Sequence, residues 1–208
     1  MYLDTSAIIW SAPERERAGR PLLVLMHGYG SHEGDLFGMS PGLPLAPVIA
    51  SVRAPLPESG GHAWWSLAGQ TPGIPDETAV NAAASAVIDW LDTLEYTRVS
   101  LLGFSQGGAM ALQLLRRDPT RFASAVCLSG FIASESHPGD AELESVKPPV
   151  FWGRGTADPV IPAYAVDRTG EWMPRHTSAT TRIYEGLGHS ISSEELADFS
   201  SFLGEHAV

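Results

Sequence analysis

The chain is poor in cysteine, poor in positive charge, and free of long apolar runs. Cys127 is the one cysteine among 208 residues, so an intrachain disulfide and a cysteine-based metal cluster are both excluded. Lys and Arg number 13 against 24 Asp and Glu, a formal net charge of −11. That balance repels phosphate backbones and anionic lipid, which argues against a nucleic-acid partner and against stable membrane association. No segment approaches the roughly 18 apolar residues of a membrane span. Met1 to Trp10 lacks both a basic residue and an apolar stretch, so it does not read as a signal peptide. A soluble cytoplasmic protein is the expectation. Hydrophobic residues make up 44% and charged residues 18%, which excludes wholesale disorder. There is no internal repeat and no charge block, and the Gly- and Pro-rich stretches are short. One α/β domain over residues 1–208 is expected.

Apolar runs alternate with helical patterns. Pro21–Met26 is an unbroken apolar run, of the kind found in strands buried on both faces of a parallel sheet. Ala7–Trp10, Val48–Val52, Arg98–Phe104, Ala123–Leu128, Pro149–Trp152 and Thr181–Tyr184 complete the strand series. Between Asp76 and Leu94 the residues Val80, Ala83, Ala84, Val87, Ile88 and Leu91 recur at helical spacing. Gln106–Arg117 is apolar on most sides and is stopped by Pro119, and Ser193–Gly204 is amphipathic. The pattern predicts a mostly parallel central sheet flanked by helices, with chemistry in the loops that follow the strands.

One such loop is Gly103-Phe104-Ser105-Gln106-Gly107, a G-x-S-x-G between a strand and a helix. A sharp turn there would force Ser105 into a strained, exposed conformation, and only glycine leaves room on either side. The bland reading is a tight turn with an incidental serine. A nucleophilic serine needs a base, and the base needs an orienting acid, in the chain order serine, acid, histidine. Asp158 follows the Pro149–Trp152 strand, and His189 follows the Thr181–Tyr184 strand. Asp158 alone could be an Asp-Pro turn, and His189 alone a loop histidine. Together with Ser105 they stand in the right order on the right loops. His62, His137 and His176 lie in polar contexts and read as solvated.

A tetrahedral intermediate needs two backbone donors. Gln106, next to the nucleophile, offers one. Tyr29, in the loop His27-Gly28-Tyr29-Gly30-Ser31, offers the second, with His27 bracing that loop. A metal site from His27, His32, Glu33 and Asp35 is the competing reading, weakened by the absence of a helical His pair. Metal is therefore not expected, and Asp35 should cap a helix or tie down the loop. Trp64 and Trp65 sit in a long Gly- and Pro-rich connection and are expected to line an acyl pocket, with Phe37 and Met39 adding to its wall. The alternative is that the tryptophans are core. Phe131–Lys147 is too short for a lid domain, so the site should be open. Cys127, inside an apolar strand, reads as a core thiol.

These residues make the chain resemble an α/β-hydrolase, and more narrowly the phospholipase/carboxylesterase group that includes acyl-protein thioesterases. The resemblance rests on HGYGSHEGDL (His27–Leu36), AWWSL (Ala63–Leu67), GFSQGG (Gly103–Gly108), GTADPVIP (Gly155–Pro162) and GLGHSIS (Gly186–Ser192), which are spread along most of the chain. It implies triad roles for Ser105, Asp158 and His189 and oxyanion roles for Tyr29 and Gln106. It also implies hydrolysis of a small-molecule ester or thioester with no cofactor. The chain departs from the group at Ser66, where members often carry an acid. A serine carboxylesterase for small to medium acyl esters is the first reading. An acyl thioesterase or lysophospholipase would use the same triad, as would a perhydrolase. A non-catalytic binding protein on the same scaffold is the reading from another class; such proteins typically lose a triad member, and this chain keeps all three candidates. The absent lid leaves room for a homodimer over the site.

Overall fold

The computed structural model describes residues 1–44 and 46–207. In chain order the elements are β1 (Ile9–Trp10), β2 (Arg20–Met26), α1 (Gly34–Phe37), β3 (Val48–Val52), β4 (Leu56–Glu58), β5 (Gly61–Ala63), α2 (Glu77–Leu91), β6 (Tyr96–Phe104), α3 (Gln106–Arg117), β7 (Phe122–Leu128), α4 (Asp140–Val146), β8 (Pro149–Gly155), α5 (Ala163–His176), β9 (Ser178–Tyr184) and α6 (Ser193–His206). Seven strands form one sheet in the order β1-β3-β2-β6-β7-β8-β9. All neighbours pair in parallel except β1, which runs antiparallel to β3. The expected mostly parallel sheet flanked by helices is what the chain forms.

The central strands are apolar on both faces because helices cover both. In β2, Leu22, Val24 and Met26 join the core beneath α2, α3 and α5, while the alternate residues Leu23 and Leu25 join the core beneath α1 and α6. Phe151 of β8 packs on Phe199 and Phe202 of α6 in the second core. α3 is buried from Gln106 through Arg116, which explains its near-absence of a polar face. Its last turn carries Arg116, wholly buried and paired with Asp140 at 2.7 Å. α2 begins at Asp76, whose carboxylate accepts the N–H of Thr78 at 2.9 Å and so caps the helix.

Several expectations need correction. The first strand is only Ile9–Trp10, because Thr5–Ala7 forms a 3-10 turn. His176 is not a solvated loop residue: it is buried in α5 and stacks on Trp172 at 4.8 Å between ring centres. The segment after Phe131 contributes α4, whose Asp140 pairs with Arg116 of α3 and accepts the indole N–H of Trp172 of α5 at 3.1 Å. Among the described residues no helix is long and apolar enough to cross a membrane.

Candidate active site

β6 ends at Phe104 and α3 begins at Gln106, so Ser105 must reverse the chain alone. It does so at φ 56°, ψ −116°, a conformation that L-residues adopt only under constraint. Two bonds hold it there: its N–H donates to the Leu128 carbonyl at 2.8 Å, and its own carbonyl accepts the N–H of Ala109 at 3.0 Å. The flanking glycines have measurable reasons. A Cβ on Gly103 would stand 2.0 Å from the Gly107 carbonyl oxygen, and one on Gly107 would stand 1.8 Å from that of Met26. The turn therefore presses α3 against the end of β2, and any side chain at either glycine would push it away.

Asp158 lies beyond β8 and His189 beyond β9. The Asp158 Oδ2 meets His189 Nδ1 at 2.7 Å, with both side chains largely buried. The other carboxylate oxygen accepts the N–H groups of Val160 (2.8 Å) and Ile161 (3.2 Å), so Asp158 is fixed at both ends. Backbone bonds tie the two loops together: Ala157 N–H donates to Leu187 at 3.0 Å and Thr156 N–H to Tyr184 at 3.0 Å. Gly155 permits the contact, since a Cβ there would lie 1.9 Å from the Leu187 carbonyl oxygen. The His189 ring packs on Phe104, next to Ser105 in the chain, with centres 4.8 Å apart. Ser105 and His189 line one cleft of about 460 Å³, a volume in the usual range for small-molecule sites.

Tyr29 and Gln106 line the same cleft. The Gln106 N–H opens α3 and so has no acceptor within its own helix. The loop bearing Tyr29 is docked from both sides. On one side, His27 is buried, with Nδ1 against the Gly28 carbonyl (2.7 Å) and Nε2 accepting the Ala54 N–H (3.1 Å). Burial holds this imidazole below its usual pKa, in keeping with a neutral brace. On the other side, β4 and β5 form a hairpin that clamps the loop: Gly30 N–H donates to His62 at 2.9 Å and His62 N–H to Ser31 at 2.8 Å. Asp35 accepts the Ser31 hydroxyl at 2.6 Å and ties the loop as expected. Glu33 is instead engaged by Arg53, so the four candidate metal ligands serve separate partners.

The tryptophans divide. Trp65 is buried in the core and also borders the cleft. Trp64 does not border it: it is fully buried in the core and donates its indole N–H to the His27 carbonyl at 2.9 Å. Phe37 and Met39 also stand apart from the cleft, packing on the second core near α6. The cleft wall is built from residues that the sequence did not single out, among them Leu67, Pro72, Phe131, Val160 and Ile161. Among the described residues no Lys or Arg lines it, and its one carboxylate is Asp35.

Two further polar side chains shape the site. The buried side chain of Gln106 accepts the Trp64 N–H at 3.1 Å and donates to the Trp65 carbonyl at 2.9 Å, pinning the tryptophan segment. Glu58 accepts hydrogen bonds from Tyr29 Oη (3.0 Å) and Ser66 Oγ (2.9 Å). A carboxylate thus stands beside Ser66 after all, supplied by β4. The bond to Glu58 raises the Tyr29 phenol above its usual pKa. Cys127 is a buried core thiol, and burial pushes its pKa far upward, away from thiolate chemistry.

The parallel sheet, the strained serine turn and the acid and histidine loops at one sheet edge are those of an α/β-hydrolase. The chain belongs to the phospholipase/carboxylesterase family, whose model matches residues 11–207. Members of that family are serine hydrolases. Acyl-protein thioesterase 1 of Kluyveromyces lactis is 25% identical over 92% of this chain and 94% of its own length. The protein of that name from Debaryomyces hansenii is 32% identical over 52% of this chain and 48% of its own, so the match spans about half of that relative. Among solved structures, esterase PE8 superposes with a TM-score of 0.77 at 25% identity, over 99% of this chain and 100% of the other.

Proposed function

We propose that this protein is a serine carboxylesterase acting on small to medium acyl esters. Ser105 Oγ attacks the ester carbonyl as His189 takes its proton. Asp158 holds Nδ1–H, which fixes the imidazole tautomer and stabilises the imidazolium. The backbone N–H groups of Tyr29 and Gln106 receive the developing oxyanion. His189 then protonates the leaving alcohol, and an acyl-enzyme remains on Ser105. Water, deprotonated by His189, releases the acid and restores the serine. No other co-reactant is needed for the atoms to balance. We place the protein in the cytoplasm and treat a homodimer over the open cleft as compatible with this mechanism.

The observation that carries the reading is the 2.7 Å Asp158–His189 contact beside a cleft that His189 shares with the strained Ser105. A cleft with apolar walls and no lining cation favours neutral acyl groups. A thioesterase reading is favoured by the Kluyveromyces lactis relative, an acyl-protein thioesterase 1 matched along nearly its whole length. The two differ only in the leaving group.

The test is hydrolysis of p-nitrophenyl esters from acetate to long chains, beside matched acyl thioesters, for wild type and Ser105→Ala. Turnover that falls more than about 10³-fold in the variant supports the reading. A preference for thioesters at equal chain length moves the assignment to the second reading. Full activity in Ser105→Ala, or none in folded wild type, refutes it; the latter points to a binding protein.

A further inference from the structure

Glu195 stands in the first turn of α6, just beyond the His189 loop, and is wholly buried. Among the described residues neither of its carboxylate oxygens meets a side-chain donor, and the Ser192 backbone N–H is the one group that favours its charged form. Buried carboxylates are ordinarily paired or hydrogen-bonded, so this one calls for a reason. Its Oε1 rests on the backbone of β8: a Cβ on Gly153 would lie 2.2 Å away. Glycine at that position is what admits the carboxyl group. The Gly153 carbonyl accepts the N–H of Ser129 at 2.8 Å, and the buried Ser129 hydroxyl is unpartnered among the described residues. The backbone end of Glu195 is secured by Ser192 Oγ, which accepts its N–H at 3.0 Å.

The titratable groups facing Glu195 are Asp198 on its own helix, Tyr184 of β9 and Cys127 of β7. None is a cation, and Glu195 enters no ion pair among the described residues. Burial, reinforced by Asp198, outweighs the Ser192 backbone N–H and pushes its pKa up to about 7. A charged carboxylate here would press against Gly153 with no cation to offset it, only the Ser192 backbone N–H. A neutral one fits against the Gly153 backbone. The ends of β7 and β8 lead into the Ser129 turn and the Asp158 loop, and the His189 loop is bonded to the latter.

We propose that Glu195 is a positioning residue: a neutral carboxylic acid wedged between α6 and Gly153 that seats the His189 loop against the Asp158 loop. It touches neither substrate nor reacting atoms. Its effect on turnover rests on the triad reading above, while its effect on the loop does not.

The test compares wild type, Glu195→Gln and Glu195→Ala by two readouts. The first is kcat and KM on p-nitrophenyl butyrate from pH 6 to 9. Glu195→Gln, neutral and able to donate, should stay within about threefold of wild type at pH 6, and the ratio of its kcat to wild type should rise at least threefold by pH 9. Glu195→Ala should lose at least tenfold in kcat with KM within twofold. The second is amide hydrogen exchange across residues 186–192, which needs no turnover: protection should fall in Glu195→Ala and persist in Glu195→Gln. A flat Gln-to-wild-type ratio overturns the proposal. So do wild-type kcat in Glu195→Ala, and unchanged protection in that variant. If Glu195→Ala does not fold, the pH ratio from Glu195→Gln decides. If folded wild type turns over no ester, the esterase reading fails and the exchange result alone judges Glu195.

Discussion

Asp158→Asn is the perturbation that most directly examines the proposed mechanism. The carboxylate has two fixed sides: Oδ1 accepts from the N–H groups of Val160 and Ile161, and Oδ2 faces His189 Nδ1 at 2.7 Å. An asparagine in the same rotamer must keep its carbonyl oxygen toward the two backbone donors, since turning it over would aim its NH₂ at them. The NH₂ then faces His189 and requires an unprotonated Nδ1. The proton moves to Nε2, the atom that must accept from Ser105, and the imidazolium loses its counter-charge. Both effects act on the transition state and not on substrate affinity. We expect kcat to fall by ~10⁴, about 5 kcal/mol in barrier, with KM nearly unchanged. Stability should change little, because both backbone donors remain satisfied. Asp158→Ala is the contrast: it orphans those donors and should cost ~2 kcal/mol of stability besides. Steady-state kinetics on a p-nitrophenyl ester, with thermal unfolding of the same samples, checks each part. A kcat within tenfold of wild type in Asp158→Asn would refute the assignment of Asp158 as the group that orients His189.

Gln106→Leu should leave the buried Trp64 N–H and Trp65 carbonyl without partners, costing ~2–4 kcal/mol in urea unfolding and lowering kcat as the cleft wall shifts. Arg116→Ala should destabilise the fold by ~3–5 kcal/mol, since Asp140 would lose its bidentate partner in a largely buried setting, while turnover per folded molecule stays near wild type. Glu195 also predicts a sign for stability against pH. Its folded pKa of about 7 lies above its ordinary value of 4.5, so the folded state holds the extra proton between them. Its contribution is therefore greatest below pH 4.5 and falls as pH rises to about 7, by roughly 3 kcal/mol in total. Glu195→Gln should remove that part of the slope in urea titrations between pH 5 and 8; an unchanged slope would contradict the buried neutral acid.

The parts of the fold that could be read from sequence are those where one local signal dominates. Val48–Val52 is buried at every position and matched its strand limits. α3 announced itself through its apolar composition and the proline that follows. β9 began earlier than its apolar residues suggested, at Ser178, because it is an edge strand with mostly exposed side chains and no apolar run to mark it. β8 continues past Trp152 through Gly153-Arg154-Gly155 because its ladder with β9 continues there, a fact of pairing and not of composition. The β4–β5 hairpin falls inside a long Gly- and Pro-rich connection that has no alternating apolar pattern to mark strands; it turns at Ser59 and Gly60, both at positive φ (56° and 80°), as a two-residue turn between strands demands.

The candidate site was legible to the same degree and for a related reason. Nucleophile, acid and histidine each sit in a glycine-bearing loop after a strand, so chain order alone orders them along one sheet edge. What supports them comes from side chains whose partners are distant in sequence, and no local pattern encodes such a pairing. Gln106 reaches Trp64 and Trp65, Glu58 reaches Tyr29 and Ser66, and Glu195 rests on Gly153. Trp64 takes the core reading of the two open to it for the same reason. Its place in a long Gly- and Pro-rich connection pointed to a pocket wall as readily, but its N–H is used to hold the His27 carbonyl, and an indole so engaged beneath the oxyanion loop faces the core. Trp65, its immediate neighbour, is buried almost as deeply and also borders the cleft. A change at Trp64 should thus act on the loop that carries Tyr29, and a change at Trp65 on the substrate, even though the two residues are adjacent in the chain.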